Sequence, residues 1–265
     1  MKLRSKDIIN ALCASLGYRL EPIRTKATKD TLPSDPFAAQ QEIINRLGID
    51  KPVVFDVGAN KGDMAYAYRT ILPQSSVHCF EPFPKTLEAL TARFQSDPNV
   101  TIVPKAVSTE PGQTTFFVNN ASATNSLLPR PDESERFYPK VAAPKGEITV
   151  QTIDLDSYAQ QSGINHIDIL KLDIQGGELM AISGAKDLLN EQRVGLIYTE
   201  IQFVPLYAGA AQFDAVWTTL RELGYALYDV YDLHRSAGGQ LLYADALFVS
   251  QSCKDRVVST LRIDN

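Results

Sequence analysis

A buried-strand pattern running straight into a glycine-rich turn constrains this chain more than any other feature. Residues 52–63 read Pro-Val-Val-Phe-Asp-Val-Gly-Ala-Asn-Lys-Gly-Asp. The apolar run Val53-Val54-Phe55 turns acidic at Asp56, passes Gly58, Ala59, Asn60 and Gly62, and leads into a helix-like segment at 64–72. Strand, glycine turn and helix, in that order, open a nucleotide-type α/β site. Glycine removes the Cβ that would hold a ligand off the backbone. The helix start offers free N–H groups beside the turn.

The glycine spacing narrows the ligand. A dinucleotide fold needs G-x-G-x-x-G, and this turn has Gly58-x-x-x-Gly62. A phosphate-cradling loop needs Gly-Lys-Ser/Thr, whereas Lys61 precedes its glycine and no hydroxyl follows. Asp-x-Gly-x-x-x-Gly is similar to the S-adenosylmethionine turn of Rossmann-like methyltransferases.

Further strands and helices alternate behind it. Residues 76–81 read as a second strand ending in Glu81, and Pro82-Phe83-Pro84 opens a helix with Leu87, Leu90 and Phe94 on one face. Glu81 follows Asp56 by 25 residues, the register at which an acid accepts hydrogen bonds from a ribose cis-diol. Strands are expected at 100–103, 112–118, 148–155, 167–172, 194–201, 225–231 and 244–249, with helices at 37–47, 156–162, 179–189 and 213–223. Residues 119–146 read as one long irregular loop, a candidate substrate cover. Alternation of this kind implies a mostly parallel sheet with helices on both faces. Ligands bind such sheets at the carboxyl ends of the strands. Asp56, Glu81, Asp173 and Glu200 all fall at that rim.

Charge and cysteine usage exclude some partners. The net charge of −5 offers no overall basic face, which disfavours nucleic acid. Cys13, Cys79 and Cys253 are odd in number and far apart, so neither a disulfide framework nor a zinc site is indicated. That pattern suits a reducing compartment, and the expected location is cytoplasmic. At the N-terminus, Ile8, Ile9, Leu12, Leu16 and Leu20 recur at helical spacing, interrupted by Asp7 and Asn10. A short amphipathic helix is expected there, packing on the domain or on a second copy of the chain. It does not read as a secretory signal, and no stretch approaches the ~20 apolar residues of a membrane span. Residues 1–49 are expected to be a helical extension and residues 50–265 the ligand-binding domain.

Three blocks together carry a resemblance. Phe55-Asp-Val-Gly-Ala-Asn-Lys-Gly62, Phe80-Glu-Pro-Phe-Pro84 and Leu170-Lys-Leu-Asp-Ile-Gln-Gly-Gly-Glu178 resemble the hallmark blocks of FkbM-type methyltransferases. Thr152-Ile-Asp-Leu-Asp156 and Asp245-Ala-Leu-Phe248 are similar to that family as well. The resemblance implies a class I fold with a seven-stranded sheet whose last strand is antiparallel. It also implies S-adenosyl-L-methionine as cofactor and O-methylation of a sugar, glycan or natural-product hydroxyl. Carried over residue by residue, Asp56, Gly58, Ala59, Asn60 and Gly62 line the methionine end, and Glu81 with Pro82 takes the ribose. Ala106 frames the adenine, and Asp173 sits beside the sulfonium. Gln175 departs from the Glu common in the third block.

An alcohol is a poor nucleophile until its proton leaves, so a general base is expected. The candidates are Asp173, Glu200 and His234. No metal site is assigned; an Mg²⁺ ion bound through Asp173 and Glu200 is left open. Two other classes compete on the same sheet: a nicotinamide-binding oxidoreductase, and a non-catalytic scaffold that keeps the fold.

Overall fold

The computed structural model describes residues 31–131 and 143–261. The expected helix at 8–20 lies outside these residues. The first described helix, α1 (Pro36–Leu47), has Asp35 as its N-cap, whose Oδ1 accepts from Ala38 N at 2.8 Å. It carries proline in its first turn and stops at Gly48 in the left-handed region. Its Ile43 and Ile44 are buried against Val54 and Tyr68. The part of the expected extension that is described therefore packs into the main core.

Seven strands form the main sheet: β1 (Val53–Val57), β2 (Ser76–Phe80), β3 (Val100–Val103), β7 (Ile167–Leu172), β8 (Val194–Gln202), β9 (Ala226–Arg235) and β10 (Leu241–Val249). Their order is β3-β2-β1-β7-β8-β10-β9. Only β10 runs against its neighbours, pairing antiparallel with both β8 and β9. This is the doubly wound class I methyltransferase arrangement. Successive side chains point to opposite faces. Phe55, Leu170 and Ile197 enter one core, and Val54, Ile169 and Leu196 the other. β7 is buried at every position, as a central parallel strand covered on both faces must be.

A smaller three-stranded sheet stands apart, in the order β4 (Ala106–Val107), β6 (Pro144–Ile153), β5 (Gly112–Asn119). The expected loop at 119–146 is shorter than the sequence suggests. β6 begins at Pro144, and a 3-10 turn at Ser122–Thr124 orders part of the remainder. Residues 132–142 lie outside the described ones.

The expected single helix at 179–189 is instead two, α5 (Glu178–Ser183) and α6 (Lys186–Asn190). Gly184 lies at the break, and only glycine fits there, since a Cβ would come within 2.2 Å of the Ser108 carbonyl oxygen. Asp156 completes the break by accepting from Asp187 N and Leu188 N, both at 2.9 Å. No helix of the described residues is long and apolar enough to cross a membrane.

Candidate active site

The order of the sheet reverses between β1 and β7, so their carboxyl ends open a crevice. Val57 pairs with Leu172 in register, which sets the turn after β1 against the turn after β7. The contact is tight: a Cβ on Gly58 would lie 2.0 Å from the Asp173 carbonyl oxygen, and Gly58 has φ 80°. Gly58 N and Ala59 N both donate to Phe80 O at 3.0 Å, fastening the turn to β2.

Glu81 is fixed by three donors. Asn60 N reaches Oε2 at 2.8 Å, while Phe83 N at 2.9 Å and Thr86 Oγ1 at 2.8 Å reach Oε1. A carboxylate has about four acceptor positions, so one remains, on Oε2. Burial pushes the Glu81 carboxyl up, opposed by these hydrogen bonds.

Two adjoining clefts open here. The first is an apolar slot lined by Val57, Phe80, Pro82, Ala106, Val107 and Phe116. Its polar lining includes Asn60, Glu81, Asn125, Asp173 and Gln175. The second, of about 800 Å³, shares Gly58, Asn60 and Asp173 and adds Ala59, Lys61, Lys85 and Lys145. Gly58, Ala59, Asn60, Glu81, Pro82, Ala106 and Asp173 are thus brought together around one space.

The other expected residues stand elsewhere. Asp56 is fully buried within β1, beneath the clefts, with the Lys171 ammonium 3.0 Å from its Oδ1. Gly62 faces α3 (Pro84–Phe94), where a Cβ would lie 2.5 Å from the Phe94 ring. Glu200 lies at the end of β8 and reaches the rim through Gln175, whose Nε2 donates to Glu200 Oε2 at 3.1 Å. His234 belongs to strand β9 rather than to a loop, and its ring stacks on Tyr243 with centroids 4.4 Å apart. His234 lines neither cleft, and Glu200 borders them only through the Gln175 amide.

The family model of the methyltransferase FkbM domain matches residues 56–227, most of the chain. The chain belongs to the FkbM methyltransferase family. It is an enzyme that draws its methyl group from S-adenosyl-L-methionine. NoeI of Sinorhizobium fredii, a 2-O-methyltransferase by name, is 26% identical over 77% of this chain and 84% of its own length. AglP of Haloferax volcanii, named as a hexuronic acid methyltransferase, is 27% identical over 61% of this chain and 62% of its own length. Among solved structures, an rRNA methylase from Streptococcus thermophilus superposes with a TM-score of 0.45 at 12% identity, over 83% of this chain and 99% of that one. The fold assignment rests on the strand order, not on that overlay.

The site of this FkbM methyltransferase suits an adenosyl ligand on its own chemistry. The slot is apolar enough for a purine. Two buried polar atoms at it, Asn60 Oδ1 and Asn125 Nδ2, have no hydrogen-bond partner among the described residues. Gly58 lines both clefts, and its missing Cβ makes room for the Asp173 backbone that closes the crevice beside them. Ile174 N and Gly176 N donate to Glu178 Oε1 at 2.9 and 3.2 Å, which shapes the turn that carries Asp173 and Gln175.

The electrostatics are lopsided. Asp173, Glu178, Glu200 and Asp245 act on one another here, and the buried Lys171 ammonium answers Asp56, Asp173 and Asp245. Burial alone would lower the Lys171 pKa; Asp56 and Asp173 overcome that and hold it up. Burial, then the charges of Asp173, Glu178 and Asp245, push the Glu200 carboxyl well up. A carboxylate with a raised pKa is a stronger proton acceptor once ionised. Among the described residues no group of three or more His, Cys, Asp and Glu is placed to hold a metal ion.

Lys171, Asn125, Phe116 and Tyr207 escaped the sequence reading. Lys171 had a signal: a lysine inside the apolar run Ile169-Leu170-Lys171-Leu172 needs a buried partner, and Asp56 is the acid inside the facing run. The two are register partners across β1 and β7. Tyr207 had none, because its role depends on contacts distant in sequence.

Burial pushes the Glu178 carboxyl up to about 7, with the Asp173 charge adding to it. Between the ordinary glutamate range and that value, the folded chain keeps a proton that the unfolded chain has lost. Stability is therefore complete below that window and falls as pH rises through it. Melting temperature measured from pH 4.5 to pH 8 should decline on this account. Glu178→Gln, which keeps the acceptor for Ile174 N and Gly176 N, should flatten the decline. An unchanged slope in that variant would remove Glu178 as its source.

Proposed function

We propose that this methyltransferase moves the methyl group of S-adenosyl-L-methionine onto a hydroxyl of a sugar-type acceptor. One observation carries the reading: the apolar slot and the lysine-lined cleft meet at Asp173, and a buried carboxylate, Glu200, stands one amide away. The names of NoeI and AglP support an oxygen and a sugar as the target. The cofactor brings an activated methyl group; the protein supplies position and charge.

On this reading the slot at Pro82, Ala106 and Phe116 takes the adenine, and the free position on Glu81 Oε2 accepts a ribose hydroxyl. The backbone at Gly58, Ala59 and Asn60 borders the methionine end. Asp173 faces both clefts and favours positive charge between them. Glu200 takes the acceptor's hydroxyl proton, and Asp173 orients that hydroxyl. Asp56 and Gly62 act from beneath, holding the turn rather than touching the cofactor. His234 has no part.

Lys61, Lys85 and Lys145 line the second cleft and form no ion pair among the described residues. An acceptor bearing a carboxylate would find its counter-charge there. The test is a screen of methyl glycosides of neutral hexoses and hexuronates with methyl-labelled cofactor. Methylation of a sugar hydroxyl is expected, with the hexuronate preferred and its advantage shrinking as salt rises. Glu200→Gln should lower kcat about 10²–10⁴-fold and leave the affinity for S-adenosylhomocysteine unchanged. Full activity in that variant would remove Glu200 as the base. A screen in which only non-sugar hydroxyls react would overturn the acceptor class.

A further inference from the structure

Gln175 is a non-glycine residue in the left-handed region, at φ 58°. Such a conformation is strained for a residue that carries a Cβ and persists only where surrounding contacts impose it. Here they come from four directions. Gln175 Nε2 donates to Asp173 Oδ1 at 2.8 Å and to Glu200 Oε2 at 3.1 Å. Gln175 Oε1 accepts from the Tyr207 hydroxyl at 2.6 Å. The backbone carbonyl of Gln175 accepts from Ser126 Oγ at 2.8 Å.

A primary amide has two N–H donors and one carbonyl acceptor. Both donors go to carboxyl groups carried by different strand ends, so a neutral group separates two acids. An amide oxygen turned toward those acceptor oxygens would be repelled, which places the amide nitrogen on their side. On the other side, Arg130 Nη2 donates to Tyr207 Oη at 2.8 Å, and its guanidinium lies 4.4 Å over the Tyr207 ring. Tyr207 has one hydroxyl proton for two acceptors, Gln175 Oε1 at 2.6 Å and Thr124 O at 3.0 Å, and the shorter contact continues the line from Arg130 through Tyr207 to Gln175 and the two acids. Each link polarises the next. Ser126 and Arg130 belong to the same segment as Ala123 and Asn125, which line the clefts.

We propose that Gln175 is a positioning residue: its amide holds the Asp173 and Glu200 carboxylates in one fixed arrangement against their repulsion, and through Tyr207 and Ser126 it locks that arrangement to the segment bordering the clefts. Glu200 is faced by the acids Asp173, Glu178 and Asp245 and by the Gln202 side chain; Lys171 stands 3.9 Å from Asp173, and Tyr207 with Arg130 lies on the other side of the Gln175 amide. The catalytic half of the inference rests on Glu200 as proton acceptor; the structural half stands without it.

A double-mutant cycle in urea unfolding at pH 8 tests it. Gln175→Met keeps length and removes both donors. It should lower the folding equilibrium constant roughly tenfold or more, since hydrogen bonds to charged groups are the stronger kind. In a Glu200→Met background the same change should cost at least threefold less, because the repulsion it exposes is gone. Gln175→Glu keeps the shape but adds a third negative charge, and should be worse than Gln175→Met. Equal costs in the two backgrounds, or Glu milder than Met, would show a packing role and overturn the proposal. On any acceptor methylated in the screen, Gln175→Met should lower kcat at least tenfold while the KM for S-adenosyl-L-methionine stays within twofold. Failure of every sugar in that screen would sink the acceptor class and leave the unfolding cycle to decide Gln175.

Discussion

Gly58→Ala should abolish measurable binding of S-adenosylhomocysteine and lower the melting temperature by about 5–15 °C. The new Cβ has nowhere to go. It would sit 2.0 Å from the Asp173 carbonyl oxygen, on a residue whose N–H ties it to Val57 O at 3.1 Å. The left-handed φ of 80° adds about 1–2 kcal/mol, and overpacking typically another 1–3 kcal/mol. Relief requires the two rim turns to part, and the clefts lie between them. Gly62→Ala is the informative control. Its Cβ meets the side chains of Phe94 and Leu90 rather than backbone. It should cost stability while leaving the affinity for S-adenosylhomocysteine within a few fold. Calorimetric titration and thermal unfolding of both variants decide the matter. Normal binding by Gly58→Ala would mean that the turn does not border the cofactor.

Lys171→Met should be the most destabilising single change near the site, at about 3–5 kcal/mol, because it leaves a buried carboxylate without its counter-charge. Asp56 is fully buried, and apart from Lys171 neither of its oxygens has a partner among the described residues. Lys171 Nζ also donates to Gly58 O at 3.1 Å, so its loss slackens the glycine turn from below. Pairing the change with Asp56→Leu removes the stranded charge and should recover most of the stability. It should not restore tight cofactor binding, because the Gly58 carbonyl remains unsupported. Urea unfolding of the single and double variants gives the first comparison, and S-adenosylhomocysteine titration the second. A Lys171→Met protein as stable as the wild type would sink the account.

Those two residues also show how far the sequence could be read. Gly58 was legible because its requirement is local: a strand end, a reversed φ and a helix start all fall within a few residues. The sheet was legible for the same reason, since apolar runs of strand length alternate with helical spacing. Its seven strands, one of them reversed, appear as the family resemblance implied. Asp56 was expected at the methionine end of the ligand from the family resemblance. In fact the strand continues past it to Val57, and the alternation turns Asp56 inward to Lys171. His234 looked like loop because β9 runs on to Arg235 as an exposed ribbon with polar side chains, which carries no burial signal. The Gln175 bridge was legible only as a departure from a pattern. What it does depends on Tyr207 and Ser126, whose meeting is decided by tertiary packing and leaves no periodicity behind.

The small β4-β6-β5 sheet has a consequence for how the two clefts are coupled. Among the described residues it shares no hydrogen-bonded ladder with the seven-stranded sheet, yet it contributes Phe116 to the slot and Lys145 to the second cleft. Both termini of the excursion return to the parent layer, through Val103 on one side and Leu155 on the other. Ala106 and Phe116 of this sheet stand at the slot assigned to the adenine, while Lys145 stands at the second cleft. A change in the small sheet would therefore reach the methyl-donor side and the acceptor side together.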